Sequence, residues 1–262
     1  MNIGLCLCGG GAKGAYQAGV IKALYDRGIN KFNAISGTSI GAVNGYFIFT
    51  NNVEKLEEMW TDIDAHIEHS IKIVDNTVDN SSVIEVLSNI DYKSTANPDF
   101  YVNYINIENN LPKEKIVNIS ELNKEEGLKS IKYSSLLPFN PQGTMGLHNQ
   151  FMKDLSEGLY NGYNLDGGLV NNTLLNPLLN KNLDKIIVIS MKHDYTLPDE
   201  IKNICNEDNI IIVRPKTVFD KNDTLRFEKE YLMFQPDNKK GGILKMMEIL
   251  QASLQDVVVF GD

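Results

Sequence analysis

The sequence predicts an α/β fold with a mostly parallel central sheet, and observations in the first fifty residues support that prediction. Residues 2–8 form a short apolar run that ends in glycines, as a buried strand does. Residues 15–27 have helical spacing of apolar side chains before Gly28. A second strand over residues 32–36 and a second helix over residues 40–49 follow. Strand, helix, strand and helix in this order are typical of parallel strands joined by right-handed crossovers.

The rest of the chain adds further elements around a less regular middle. Helical spacing predicts helices over residues 53–67, 81–90 (capped by Ser81), 124–135 and 244–260. Alternating or continuous apolar runs predict strands over residues 101–107, 185–191 and 209–213. Polar or Pro- and Gly-containing stretches predict loops over residues 75–82 and 138–149. No repeat or linker is visible, so we expect one domain over residues 1–262, with residues 53–95 as a candidate cap or lid.

The amino-acid composition limits the kinds of molecule that the protein is expected to bind. The chain has 262 residues, 42% of them hydrophobic and 23% charged, as in an ordinary globular protein. With 25 basic and 34 acidic residues the net charge is −9, which argues against a nucleic-acid partner. No apolar run approaches the length of a membrane span, and the start lacks the basic segment of a secretory signal. We therefore expect a soluble, cytoplasmic protein, with peripheral membrane contact and export by a signal-less route left open.

The three cysteines are Cys6, Cys8 and Cys205, too few and too unevenly spaced for a disulfide framework. Cys6 and Cys8 lie two residues apart on a predicted strand, so both side chains should face the same side of the sheet. Without further thiols or histidines nearby, we interpret them as buried core residues and predict no metal site.

A glycine-rich loop follows the first strand, and it contains Gly9, Gly10, Gly11 and Gly14. A P-loop is excluded, because Lys and Ser or Thr do not follow the last glycine. A dinucleotide site fits the G-x-G-x-x-G spacing between a strand and a helix, but the second strand lacks the acidic residue such a site requires. A dinucleotide-binding module therefore stays open as an alternative.

A second motif follows the second strand. Residues 37–41 read Gly-Thr-Ser-Ile-Gly, which is G-x-S-x-G between a strand and a helix, the context of a nucleophile elbow. Gly37 and Gly41 would allow the tight turn that exposes the Ser39 hydroxyl. Adjacent parallel strands place both loops at one edge of the sheet, so the N–H groups of Gly10 and Gly11 could stabilise an oxyanion formed when Ser39 attacks a carbonyl.

The base for this serine has two candidates. The chain order Ser39, Asp166, His193 is that of the α/β-hydrolases, although those folds place the elbow after several strands rather than after the second. The other histidines are His66, His69 and His148. The alternative base is Asp166 itself, in the run Asp166-Gly167-Gly168, which taken alone would be an ordinary turn.

Together these motifs resemble the patatin-like phospholipase family. The glycine loop, G-x-S-x-G after the second strand and Asp-Gly-Gly far downstream carry the resemblance. The small-residue and proline segment over residues 134–138 and the run from Asp166 to the strand near residue 189 extend it. Residues 53–100 and the last seventy or so residues add little to it.

The resemblance implies a three-layer α/β/α fold and a lipid acyl hydrolase without metal or other cofactor. It implies a Ser39–Asp166 dyad that acts through an acyl-enzyme on phospholipid, lysophospholipid or acylglycerol esters, with transient contact with a membrane surface. The family roles fall on the following residues: Gly9, Gly10, Gly11 and Gly14 as the oxyanion loop, Lys13 at a position usually basic, and Gly167 and Gly168 beside the aspartate. One difficulty is that an ordinary carboxylate, with a pKa near 4, is a weak base for a serine hydroxyl.

Overall fold

The computed structural model describes residues 1–61, 72–91, 97–140, 146–216 and 218–219. The strands are β1 Ile3–Leu7, β2 Ala34–Thr38, β3 Ile73–Val74, β4 Thr77–Val78, β5 Asp99–Glu108, β6 Leu111–Asn118, β7 Asn164–Asp166, β8 Lys185–Ile189 and β9 Ile210–Val213. The helices are α1 Gly14–Tyr25, α2 Ile40–Phe49, α3 Val53–Thr61, α4 Ser81–Ser88, α5 Lys124–Ser134, α6 Leu147–Ser156, α7 Asn176–Leu179 and α8 Asp199–Lys202.

The central sheet has the order β6-β5-β2-β1-β8-β9, and β7 also pairs with β5. The pairs β1–β2, β1–β8, β2–β5 and β8–β9 are parallel, whereas β6 and β7 run antiparallel to β5. Apolar side chains fill both faces of the sheet. The larger core holds Leu5 and Leu7 with residues of α1, α2 and α3, and the smaller core on the other face holds Cys6 and Cys8 with residues of α7. The predicted three-layer α/β/α fold with a mostly parallel sheet is therefore confirmed.

The first fifty residues match the prediction closely. The helix predicted over residues 40–49 is observed as α2 with the same bounds, and β1 and α1 differ from their predicted ranges by a residue or two. The second strand lies two residues later than predicted, so β2 ends at Thr38 and Ser39 follows it directly. Cys6 in β1 and Cys8 directly after it are buried free thiols that face the same side of the sheet, as expected from their spacing.

The middle of the chain departs from the prediction at the segment assigned as a loop, residues 75–82. The structure forms a hairpin there from β3 and β4, and its turn residues Asp75 and Asn76 have φ of 49° and 58°. Asp and Asn tolerate this left-handed conformation better than most residues, so the turn needs no glycine. The prediction of Ser81 as a helix cap was wrong. Asn80 holds the cap position, and Ser81 is the first helical residue, bonded to Asp79.

Strand β6 and helix α6 were not predicted from the sequence, and neither were the short elements β3, β4, β7, α7 and α8. Strand β6 pairs with β5 along its whole length, and the two are joined by a turn at Asn109 and Asn110, both with positive φ. Helix α6 begins at Leu147, inside the stretch predicted as a loop up to residue 149.

The candidate cap at residues 53–95 stays a prediction. Its first helix, α3, packs on α1, and its Val53, Leu56 and Trp60 lie in the larger core. Residues 62–71 and 92–96 of this region lie outside the described residues, as does the helix predicted over residues 244–260. None of the helices in the described ranges combines the length and apolar character needed to cross a bilayer.

Candidate active site

Ser39 occupies a tight turn between β2 and α2. Its φ is 57° and its ψ is −125°, and the residue is only 7% exposed. A non-glycine residue in such a conformation costs on the order of 1–3 kcal/mol, which the surroundings must offset. Part of that support is visible, since the Ser39 N–H donates to Ser134 Oγ at 2.9 Å, and Ser134 is the buried last residue of α5. The Ser39 carbonyl accepts from the N–H groups of Ala42 and Val43 in α2.

The two glycines of the turn are required by close packing. A Cβ added at Gly41 would lie 2.2 Å from the carbonyl oxygen of Leu7, and one at Gly37 would lie 2.6 Å from the carbonyl oxygen of Gly41. Both obstacles are backbone atoms that cannot swing aside. The start of α2 therefore sits directly on the end of β1, which brings Ser39 to the loop that follows that strand.

Asp166 is brought to Ser39 by β7, which pairs antiparallel with β5 so that Asp166 lies opposite Tyr104. The side chain is 1% exposed. Its Oδ2 accepts from Ser39 Oγ at 2.5 Å, and its Oδ1 accepts from the Gly168 N–H at 2.7 Å. Its own N–H donates to the carbonyl of Leu136 at 2.9 Å. Both carboxylate oxygens are thus held, one of them by the serine hydroxyl.

Burial changes the acidity of this carboxyl. The loss of water around it raises the pKa of Asp166 to about 7, and the hydrogen bonds from Ser39 and Gly168 oppose the rise only in part. A carboxylate with a pKa near 7 is a far better proton acceptor than an ordinary aspartate. The mismatch between aspartate and serine that the sequence suggested is therefore reduced by the site itself.

The glycine loop passes beside Ser39. A Cβ at Gly9 would lie 3.1 Å from Ser39 Cβ and 2.4 Å from Asn172 Oδ1, and one at Gly14 would lie 2.4 Å from Ile40 Cγ1. Gly9 also exchanges hydrogen bonds with Asn172, whose carbonyl accepts from the Gly9 N–H and whose Nδ2 donates to the Gly9 carbonyl. The loop is thereby joined to the chain segment that follows Asp166.

The next two residues of the loop, Gly10 and Gly11, are partly exposed. Across the part of the chain that the structure describes, neither N–H is paired with an acceptor. Gly11 has φ of 58°, a conformation that glycine adopts without strain. Lys13 ends the short 3₁₀ turn over Gly11–Lys13, and its N–H donates to the carbonyl of Gly10.

Asn103 on β5 supports the aspartate loop. A Cβ at Gly167 would lie 2.6 Å from the Asn103 carbonyl oxygen, and one at Gly168 would lie 2.9 Å from Asp166 Oδ1. The Asn103 side chain accepts from Thr38 Oγ1 at 2.7 Å and donates to Glu114 Oε1 at 2.8 Å. Thr38, which precedes Ser39, and Gly167, which follows Asp166, therefore both contact one asparagine.

Sequence reasoning did not identify the supporting roles of Ser134, Asn103 and Asn172. Ser134 and Asn172 did fall within segments that carried the family resemblance. Asn103 gave a weaker signal, as a polar residue at an inward-facing position of an alternating strand.

Among the described residues, His193 makes no hydrogen bond to Ser39. Its side chain is 41% exposed, and its Nδ1 lies 3.6 Å from Asp194 Oδ1, beyond the end of β8. His148 is on α6, and His66 and His69 lie outside the described residues. Within the described ranges, no group of three or more His, Cys, Asp or Glu side chains comes together as a metal site would require.

The fold and this geometry define a class of α/β protein in which a serine at a strand–helix turn faces a glycine loop and a buried aspartate. A family model described as patatin-like phospholipase matches residues 5–152, more than half of the chain. The chain therefore belongs to the patatin-like phospholipase family.

Individual relatives are more distant or match only locally. The chain is 59% identical to "Lysophospholipase nte1" of Aspergillus terreus over 44 residues, which is 17% of this chain and 3% of that protein. The crystal structure of VipD from Legionella pneumophila superposes with a TM-score of 0.50 at 12% identity, covering 96% of this chain and 67% of VipD. The ExoU–SpcU complex of Pseudomonas aeruginosa gives a TM-score of 0.43 at 14% identity, covering 97% of this chain and 52% of that one. The likeness to VipD concerns the fold alone.

Proposed function

We propose that this protein is a serine hydrolase that cleaves acyl esters of lipids, with Ser39 as the nucleophile and Asp166 as the general base. The observation that carries the proposal is the 2.5 Å hydrogen bond from Ser39 Oγ to Asp166 Oδ2. A hydroxyl bonded to a buried carboxylate can pass its proton along that bond as it attacks. Membership of the patatin-like phospholipase family supports lipid acyl esters as the substrate class.

The first half of the reaction forms an acyl-enzyme. Ser39 Oγ attacks the ester carbonyl carbon while its proton moves to Asp166 Oδ2, and the carbonyl oxygen becomes an oxyanion. The carbon–oxygen bond to the alcohol then breaks, and the proton held by Asp166 goes to the departing oxygen. The alcohol or lysophospholipid leaves, and the acyl group stays on Ser39.

The second half regenerates the enzyme. A water molecule gives its proton to Asp166 as it attacks the acyl carbon, and a second oxyanion forms. When the bond between that carbon and Ser39 Oγ breaks, the proton returns from Asp166 to the serine and the fatty acid leaves. Atoms and charge balance over the cycle, and no co-reactant other than water is needed.

The oxyanion in both halves would be stabilised by the N–H groups of Gly10 and Gly11, which have no acceptor among the described residues. The N-terminal end of α1 begins just beyond them, and its dipole favours negative charge there. One such donor contributes roughly 3–4 kcal/mol to the transition state. Gly9, Gly14 and the basic Lys13 complete this loop in the proposed site.

Phospholipids, lysophospholipids and acylglycerols are the substrates we propose, through phospholipase A or lysophospholipase activity. Such substrates reside in bilayers or micelles, so we propose transient contact of the protein with a membrane surface. The match to a protein named lysophospholipase supports testing lysophospholipids first.

The test is labelling with a fluorophosphonate probe together with a lipid panel analysed by mass spectrometry. We expect wild-type protein to be labelled and to release fatty acid, and Ser39→Ala to do neither. Asp166→Asn should lower both by at least about 10³-fold, because the hydroxyl loses its proton acceptor. Circular dichroism checks that both variants are folded.

His193→Ala is the control that separates the dyad from a triad. It should keep most of the wild-type activity, because the Ser39 hydroxyl is bonded to Asp166 rather than to this imidazole. A loss as large as that of Ser39→Ala would replace the dyad with a Ser-His-Asp mechanism. Tight binding of NAD or FAD with no labelling would instead favour the dinucleotide-binding alternative.

A further inference from the structure

Three buried polar side chains lie behind the glycine loop, and their described hydrogen bonds go to one another and to the backbone at the two ends of that loop. Gln17 on α1 is fully buried, and its Nε2 donates to the carbonyl of Cys8 at 3.2 Å and to that of Ile189 at 3.3 Å. Cys8 is the last residue before the loop, and Ile189 ends the neighbouring strand β8. Gln17 thus holds the N-terminal end of the loop to the sheet.

Asn44 on α2, also fully buried, holds the other end. Its Nδ2 donates to the carbonyl of Gly14 at 3.1 Å and to Gln17 Oε1 at 3.0 Å. Its Oδ1 accepts from the indole Nε1 of Trp60 on α3 at 3.0 Å. We call Gln17, Asn44 and Trp60 the loop clamp, because together they bond to the residues at both ends of the loop.

The loop clamp fixes its own orientation. An indole N–H only donates, so the Asn44 atom facing Trp60 must be the oxygen. The Asn44 nitrogen must then face Gln17 and Gly14, and the Gln17 oxygen must face Asn44. The Gln17 nitrogen is left to face the two carbonyls. A single arrangement satisfies every amide atom, so the clamp cannot flip without losing hydrogen bonds.

The stability of the fold does not by itself require the buried hydrogen bonds of the loop clamp. Burying three polar groups is costly, and an apolar core of the same shape would stabilise the fold about as well. A fully satisfied polar network instead rigidifies its surroundings and selects one geometry. What it holds in place here is the loop that carries the N–H groups of Gly10 and Gly11, for which the described residues offer no acceptor.

We propose that Gln17, Asn44 and Trp60 are positioning residues that aim the loop N–H groups at the oxyanion. The proposal rests on the proposed function. A dyad with one carboxylate depends heavily on oxyanion stabilisation, and donors misplaced by even about 1 Å lose much of their effect. Trp60 also contacts the loop end sterically, since a Cβ at Gly14 would lie 2.9 Å from its Cζ2.

Gln17→Met is the main test, because methionine has a similar volume and cannot donate to the two carbonyls. We expect kcat on a soluble short-chain ester to fall about 10- to 100-fold while KM changes less than about threefold. The pH midpoint of kcat/KM should stay at the wild-type value, because the dyad is untouched. The hydrogen-bonded N–H groups of this loop, including those of Gly9 and Lys13, should exchange with deuterium faster than in wild type, a readout that does not depend on activity.

Thr50→Val is the matched control. Thr50 is equally buried, its hydroxyl donates to the carbonyl of Tyr46, and it lies at the far end of α2 from Ser39. The Thr50→Val variant should lower stability as Gln17→Met does, but leave kcat and the exchange of residues 9–14 at wild-type values.

Trp60→Phe is a second test of the loop clamp, because it keeps an aromatic ring beside Gly14 without the N–H donor. It should show a smaller loss of kcat than Gln17→Met, and faster loop exchange than wild type.

The outcomes separate the two proposals. If Gln17→Met keeps wild-type kcat and wild-type loop exchange, the loop clamp is only structural and this inference is overturned. If Gln17→Met does not fold, the same two measurements on Trp60→Phe decide. If wild-type protein neither hydrolyses esters nor labels at Ser39, the proposed function fails, and the exchange comparison still decides whether the clamp holds the loop.

Discussion

At the scale of single residues, Asp166 combines two properties that have opposite effects on its charge. It is almost completely buried, which disfavours its charge, and it accepts hydrogen bonds on both oxygens, which favours it. Burial has the larger effect, and the pKa rises to about 7. The side chain therefore titrates near neutral pH, which suits the role of proton acceptor and proton donor that the proposed cycle gives it.

This acidity predicts the pH dependence of hydrolysis. The base works only when ionised, so kcat/KM should fall as pH decreases below about 7, approaching a tenfold loss per pH unit. With an aspartate of ordinary pKa, kcat/KM would stay unchanged as pH decreases to about 5. The measurement is kcat/KM on a soluble ester from pH 5 to 9.

The same profile in His193→Ala serves as the control, because histidines also titrate near neutral pH. An unchanged midpoint assigns the transition to the carboxyl. A midpoint that disappears with the imidazole would contradict the assignment to Asp166.

The sequence could predict that Ser39 and Asp166 belong to one site, but not how that site changes the acidity of the carboxyl. Ser39 and Asp166 were visible because each lies in a short motif of distinctive composition. The raised pKa of Asp166 was not, because it depends on burial, which distant parts of the chain create. Gln17 and Asn44 gave a signal that was overlooked: each is a polar residue inside an otherwise apolar helical stretch, where a structural reason is expected.

At the scale of elements, the site depends on how closely α2 approaches β1. Gly41→Ala would place a Cβ 2.2 Å from the Leu7 carbonyl oxygen, well inside van der Waals contact. Because the obstacle is backbone, α2 must shift away from β1 and take Ser39 with it. We expect a loss of several kcal/mol in the free energy of unfolding and at least about a 10²-fold loss of activity.

Gly127→Ala is the matched control, because Gly127 is also a buried helical glycine. Among the described residues, its added Cβ would meet only the Ile119 side chain, at 3.1 Å. The gain in helix propensity, up to about 1 kcal/mol, should offset that contact. Urea unfolding and ester hydrolysis measure both variants, and equal effects would contradict the packing argument at Gly41.

Elements that bury a continuous apolar run were predicted well, and elements stabilised by their partners were not. Residues 186–189 of the run that predicts β8 are all apolar, and their side chains are buried on both faces of the sheet. Strand β6 contains Pro112 and several charged residues, because it lies at the edge of the sheet and takes its conformation from pairing with β5. The β3–β4 hairpin was missed because its strands are two residues each, shorter than any periodicity can reveal.

At the scale of the whole molecule, the site joins segments far apart in the chain. Ser39 and Asp166 are 127 positions apart, and Gly9 and Asn172 are 163 apart. Forming the site therefore requires nearly the complete sheet. The buried carboxyl at its centre is unfavourable for the fold once ionised, so stability and the proposed activity should oppose each other as pH rises.

This opposition predicts a difference in stability between wild type and Asp166→Asn. The folded-state pKa of about 7 lies above the unfolded value of about 4, so the stabilising contribution of the protonated carboxyl is fully present below pH 4 and is lost as pH rises to 7. Over that window wild type should lose on the order of 4 kcal/mol relative to the variant, at about 1.4 kcal/mol per pH unit. Above pH 7 the carboxyl is ionised in both the folded and the unfolded chain, and the difference should stay constant.

The measurement is the free energy of unfolding from urea titrations between pH 4.5 and 8.5 for both proteins. In the Asp166→Asn variant, the new side-chain amide also meets the donors that bond to the carboxylate, Ser39 Oγ and the Gly168 N–H, which adds a cost that does not vary with pH. The informative quantity is therefore the slope, against pH, of the difference in unfolding free energy between the two proteins. The constant offset between them is not informative. Parallel stability curves for the two proteins would mean that the Asp166 carboxyl ionises as freely in the folded chain as in the unfolded one, which would remove the physical basis for a serine activated by a lone aspartate.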